Sequence, residues 1–209
     1  MRSRHTVRAA LVLLLVMLAS SPGVASVIYE SATLGSTGVV TGAGMVNDFF
    51  GARFQVTESV QVSQVGGHLF SLGGTLFAAI VWLPWGANTV PTGSPFDDTL
   101  QAYTTFTGPL PSADFRIPLS VTLSPGWYAL VFGSNEFGAI GLGAMPVNNT
   151  DLPAASYITW SGGSWLPFGV SGTRFVVEGD PVSAVPEPGS AALLGAGLLF
   201  TAMFLRGRR

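Results

Sequence analysis

Phe49-Phe50-Gly51-Ala52-Arg53-Phe54-Gln55-Val56-Thr57-Glu58-Ser59-Val60-Gln61-Val62 is the stretch that decides the fold. Phe50, Ala52, Phe54 and Val56 alternate with Gly51, Arg53, Gln55 and Thr57, and Val60 and Val62 resume the alternation after Glu58-Ser59. Successive side chains of a strand point to opposite faces. A period of two therefore reads as a half-buried β-strand, with Arg53 on the polar side.

Working outward, residues 76–83 are continuously apolar and too short for a helix, so they read as a fully buried strand ended by Pro84. Ile117, Leu119, Val121 and Leu123 alternate again, and Pro118, which cannot donate to a ladder, marks that strand as an edge or a strand start. Ser124-Pro125-Gly126 is a turn, and residues 127–132 form a second buried run. Residues 157–160, the loop Ser161-Gly162-Gly163-Ser164 and Trp165 onward read as a hairpin with a loose four-residue loop. In the final strand Thr173, Phe175 and Val177 face inward, with Arg174 and Glu178 outside. Between residues 26 and 185, 22 Gly and 11 Pro punctuate these runs. About ten short strands without an amphipathic helix predict an all-β fold, an antiparallel β-sandwich of jelly-roll-like type. No repeat of fixed period emerges, which counts against a propeller or solenoid.

The charge is divided between the ends and the middle. The 209 residues contain no Lys and no Cys, and all nine basic residues are Arg. Arg2, Arg4 and Arg8 lie at one end and Arg206, Arg208 and Arg209 at the other. Residues 26–185 hold Arg53, Arg116 and Arg174 against ten acids, a net charge of −7. Such a body repels phosphate backbones, which argues against nucleic acid as a partner. Without Cys there are no disulfides, thiolate metal sites, Cys nucleophiles or lipidated cysteines.

The two ends read as addresses. Arg2, Arg4 and Arg8 precede an apolar run at 9–18, which Pro22 and Gly23 break. Gly23-Val24-Ala25 places small residues for signal cleavage between Ala25 and Ser26, so residues 1–25 read as a helical secretory signal. Ten apolar residues span only ~15 Å as a helix, about half a bilayer core, which disfavours an uncleaved anchor. At the other end Pro186-Glu187-Pro188 is stiff and extended; an uncharged stretch at 191–205 and Arg206-Gly207-Arg208-Arg209 follow it. With Gly189 and Ser190 joining it and the Arg side chains snorkelling, this stretch can form a single transmembrane helix over about 190–205. The positive-inside rule puts both Arg clusters in the cytoplasm and the body, residues 26–184, outside.

Pro186-Glu187-Pro188, a short apolar helix and a terminal Arg cluster, in that order over residues 185–209, resemble the PEP-CTERM sorting signal of Gram-negative bacteria. The resemblance implies recognition and tail removal by an exosortase, a membrane-embedded protease. It also implies export through the inner membrane toward the cell surface or an exopolysaccharide matrix. Arg206, Arg208 and Arg209 then hold the precursor in the membrane, and Pro186, Glu187 and Pro188 form the sorting motif. Val60-Gln61-Val62-Ser63-Gln64-Val65-Gly66 and the stretch from Leu123 to Val131 are also similar to the β-sandwich ectodomains of such proteins. That likeness bears on fold and not on activity.

Chemistry-bearing residues are sparse. His68 is the one histidine of the body, too few for a His-rich metal site, and it reads as a surface or sheet-edge residue. A Ser–His–Asp arrangement centred on it stays open, because spatial neighbours are invisible in sequence. There is no G-x-S-x-G elbow and no phosphate-binding Gly-rich loop with Lys. Asp97-Asp98, in a loop rich in Pro and Gly, is a candidate Ca²⁺ site on oxygen chemistry alone. Trp85, Trp160 and Trp165 are candidate carbohydrate-binding residues, since aromatic faces stack on sugar rings; the alternative is that they fill or cap the core. Asn148-Asn149-Thr150 reads as a turn. Two function classes follow. The first is an exported, non-catalytic surface or matrix protein without a cofactor, associated with exopolysaccharide. The alternative is a secreted β-sandwich hydrolase acting on polysaccharide.

Overall fold

The computed structural model describes residues 25–93 and 95–182, apart from the side chain of Asp98. The signal segment before Ala25, the motif Pro186-Glu187-Pro188, the apolar stretch at 190–205 and Arg206, Arg208 and Arg209 lie outside the described residues. Among the described residues no helix is long and apolar enough to cross a membrane.

The described chain is all-β. In order it forms β1 (Ser26–Glu30), β2 (Ala32–Thr33), β3 (Ala43–Gly44), β4 (Phe49–Val56) and β5 (Val60–Gly74). β6 (Leu76–Trp82), β7 (Leu100–Phe106), β8 (Ala113–Leu123), β9 (Gly126–Gly133) and β10 (Gly141–Met145) follow. β11 (Thr150–Asp151), β12 (Tyr157–Ser161), β13 (Ser164–Leu166) and β14 (Phe175–Pro181) complete it. One six-stranded antiparallel sheet has the order β1-β14-β5-β10-β3, with β8 paired to β5; the other has the order β13-β12-β4-β9-β6-β7. A separate two-stranded ladder joins β11 to β2.

The alternation in β4 shows why two sheets share one core. Phe50, Ala52, Phe54 and Val56 enter the same apolar cluster as Val62, Val65 and Leu69 of β5, Leu130 and Phe132 of β9, and Phe175 and Val177 of β14. Phe132 of one sheet stacks on Phe175 of the other at 5.5 Å between ring centroids. β4 is not half-buried, however. A second cluster covers the opposite face of its sheet: Phe49, Phe77, Ala79, Val81, Ala129 and Val131 pack beneath Leu83 and Phe96 of the β6–β7 connection. Burial on both faces accounts for the unbroken apolar runs in β6 and β9, because neither face there has to meet water.

That covering also relocates Arg53, which is 4% exposed instead of solvated. Its Nε donates to Thr89 O at 2.6 Å, Nη1 to Ser156 Oγ at 2.8 Å, and Nη2 to Pro167 O at 3.0 Å. Arg174 likewise points to the outer face of its sheet yet is buried, because acids gather around it. The β12–β13 connection is tighter than a four-residue loop. Ser161 pairs with Ser164, and Gly162 and Gly163 turn the chain at φ 60° and 83°. Those left-handed angles belong to the two-residue turn whose twist matches the flanking strands.

β5 runs for 15 residues, longer than its glycines suggest. A Cβ on Gly66 would collide with the Phe115 carbonyl, and one on Gly67 with that of Arg174. These glycines therefore let β8 and β14 approach β5 closely instead of ending it. β8 pairs with β5 alone, and its register slips beside Pro118, opposite Gln64. An edge strand with an irregularity is where a missing N–H is tolerated.

Candidate functional site

His68 is the centre of a buried hydrogen-bond chain. It sits in β5 opposite Asp114 and is fully buried, not at a surface or a free edge. Three covering groups explain this. Nδ1 lies 2.9 Å from Asn149 Oδ1, Nε2 lies 2.9 Å from Ser112 Oγ, and Val39 N–H donates to the same Ser112 oxygen at 3.1 Å. The Asn149 amide is oriented by its other bonds, because Nδ2 donates to Pro146 O and Gly172 O while Oδ1 accepts the Gly35 N–H. Oδ1 therefore faces the imidazole, Nδ1 carries the proton, and Nε2 accepts from the Ser112 hydroxyl.

A hydroxyl, an imidazole and an orienting amide in series have the connectivity of a nucleophile with its base. Here Ser112 and Asn149 are both buried, and the Ser112 oxygen already accepts a backbone proton. Ser112 is 3% exposed in this arrangement. What the chain does is tie β5, the start of β8 and the loops at 35–39 and 146–149 together across distant parts of the sequence. His68 stands out in the sequence as the one histidine of the body, whereas Ser112 carries no local signal. The turn Asn148-Asn149-Thr150 was the only hint.

Beside His68 lies an ion-pair cluster on the outer face of the β1-β14-β5 sheet. Asp114 accepts from Arg116 Nη1 at 2.9 Å and Arg174 Nε at 3.1 Å; Glu178 accepts from Arg116 Nε at 2.6 Å; and Glu30 pairs with Arg174. Gln64 Nε2 adds a 2.5 Å bond to Glu178. Burial alone would raise the Asp114 pKa. The hydrogen bonds and charges of Arg116 and Arg174 outweigh it and hold the carboxyl below the usual carboxylate range. A depressed folded-state pKa contributes stability that is present above the unfolded value, near 4, and is lost as pH falls through the folded one. Asp114→Asn is therefore expected to unfold more readily than the parent at pH 7, with the difference shrinking as thermal melts are repeated below about pH 4. A gap that stays constant with pH would contradict this role.

The aromatic candidates separate. Trp160 is 9% exposed and stacks on Phe49 at 6.2 Å within the second apolar cluster. Trp165 is half-buried, donates its indole N–H to Pro95 O at 2.7 Å, and meets Trp160 at 62°. The two rings form an edge contact and not a coplanar platform. Trp85 is 79% exposed. Asp97 lies in a short 3-10 turn over Asp97–Thr99, while the Asp98 side chain lies outside the description. Among the described residues no group of three or more His, Cys, Asp or Glu converges on a point that could hold a metal. The Tyr29 hydroxyl is buried with no hydrogen-bond partner among the described residues. Burial, then the nearby Asp151 charge, raise its pKa.

No family model, no curated protein and no solved structure matches this chain.

Proposed function

We propose that the chain is an exported, exosortase-processed protein of the cell surface or extracellular matrix of a Gram-negative bacterium, with a non-catalytic β-domain of jelly-roll-like type. The observation that supports this reading most is where the described ends leave the fold. Ser26 pairs with Gly179 at the start of β1, and Val182 N–H donates to Ser59 O at 2.8 Å just past β14. Both ends therefore emerge from one side of the domain, as a precursor held by both ends at one membrane requires. The jelly-roll comparison rests on connectivity: the chain changes sheet between β4 and β5, β5 and β6, β7 and β8, β8 and β9, and β9 and β10.

In this reading Pro186-Glu187-Pro188 presents extended backbone outside the bilayer, where Glu187 is the charge available for recognition. Arg206, Arg208 and Arg209 resist translocation at ~2.5–3.5 kcal/mol each. Exopolysaccharide is the matrix partner, and of the three tryptophans Trp85 offers it a ring face. The hydrolase alternative draws no support from the sealed Ser112.

The test uses a host with an exosortase and an epitope appended after Arg209. The parent is expected to lose the epitope and leave the membrane fraction. Glu187→Gln is expected to insert normally but stay full-length and membrane-bound. Processing of Glu187→Gln at the parental rate would reduce the motif to a spacer and remove the mechanism.

A further inference from the structure

The end of the domain from which the chain leaves also carries exposed tryptophan. Pro181 of β14 pairs with Val60 of β5 there, and both line a hollow of about 200 Å³ with Val27, Val56 and Glu58. Val56 pairs with Gly126, and a Cβ on Gly126 would lie 3.7 Å from the Trp82 indole nitrogen, so β6 finishes at this same end. Trp85 follows just beyond Leu83, whose N–H donates to Trp127 O at 2.8 Å. Val27, Trp82, Trp85 and Val182 are all exposed. An indole combines an apolar ring with one N–H donor, the combination that settles where hydrocarbon meets water. Trp160 and Trp165 pack in and against the second apolar cluster, whereas Trp85 belongs to neither cluster.

We propose that this end of the domain docks on the zwitterionic lipid interface of the membrane that holds the precursor. The proposal rests on the transmembrane reading of residues 190–205. The occupant follows from the length of chain outside the fold. Val182 N–H is held by Ser59 O, and only residues 183–189 separate Val182 from the membrane stretch. At ~3.6 Å per residue, fully extended, their reach is at most ~25 Å. A tether that short keeps the lipid surface at a high effective concentration beside Trp82 and Trp85. Charge then selects the lipid. Glu58 and Asp180 are exposed at this end, while Arg53 is engaged by carbonyls and Arg116 and Arg174 by acids. An anionic surface finds no counter-charge here, whereas the cationic group of a zwitterionic headgroup meets the two acids. Docking covers Trp85 in the precursor, and removal of the tail frees its ring for the glycan.

The chain has no cysteine, so one introduced thiol carries one fluorophore. Thr57→Cys lies in the exposed turn between β4 and β5; Ile140→Cys lies at the opposite end, where Ile140 O accepts the Thr75 N–H just before β6. Each is made in the full-length chain, labelled, and placed in phosphatidylcholine vesicles whose headgroups carry a contact quencher. Quenching at position 57 is expected to exceed that at 140 about tenfold. Trp85→Ser removes an exposed side chain, so it is expected to leave the thermal midpoint unchanged and lower the docked-to-undocked ratio about fivefold. Adding Trp82→Ser is expected to lower it further, and phosphatidylglycerol in place of phosphatidylcholine to weaken quenching at low salt. Equal quenching at 57 and 140 would overturn the proposal. So would tryptophan variants that leave it unchanged, or stronger quenching with phosphatidylglycerol. Alkaline extraction keeps the underlying reading separate: a chain washed off the vesicles means that residues 190–205 do not span, and the docking proposal falls with that reading.

Discussion

Arg53→Met is expected to lower the thermal midpoint of the β-domain by about 10 °C, from a loss of about 4 kcal/mol. Arg53 is a buried cation, and among the described residues no carboxylate pairs with it. Burial lowers its pKa from the ordinary guanidinium value. Its compensation is a set of neutral acceptors: Thr89 O, Ser156 Oγ, Tyr157 O and Pro167 O, which come from three separate stretches of chain. Methionine fills similar volume but leaves these acceptors inside without donors, each costing about 1 kcal/mol or more. Arg53→Lys keeps the charge and loses the planar fork, so it is expected to recover less than half of the loss. Chemical or thermal unfolding of the three proteins side by side measures this. A methionine variant as stable as the parent would mean that the β6–β7 connection does not need this clamp.

Phe175→Ala is expected to cost about 3–5 kcal/mol, again on the order of 10 °C in midpoint. Phe175 is fully buried at the first position of β14, stacked on Phe132 across the two sheets and tilted against Tyr157 at 6.2 Å. Alanine opens a cavity between sheets whose strands are fixed by their ladders, and such a site collapses poorly. Phe175→Leu retains most of the volume and is expected to lose less than about 1.5 kcal/mol. If alanine and leucine cost the same, the contact between sheets is not centred on this pair.

Local periodicity made β4, β6, β9 and the inward set Phe175 and Val177 legible, because each side chain's face follows from its neighbours in sequence. The same rule could not place Arg53 or Arg174. Their burial depends on Ser156 and Asp114, 103 and 60 residues away. Nothing local tells a covered outer face from a wet one. His68 failed for the same reason, since Ser112 and Asn149 are 44 and 81 residues from it. Nothing local marks Gly66 and Gly67 as sites of close contact, because the approach of β8 and β14 that requires them is a property of the assembled sheet. Among the tryptophans only burial separates Trp85 from Trp160. Spacing around Pro84 and the Gly-Gly turn carries no such information.

The most direct test of the sorting proposal is the intact mass of the protein recovered from the surface or medium of its native host. Export with processing at both ends predicts a chain that begins at Ser26 and has lost the stretch at 191–205 with Arg206, Arg208 and Arg209. A recovered chain that still carries this stretch, or that begins at Met1, would contradict it.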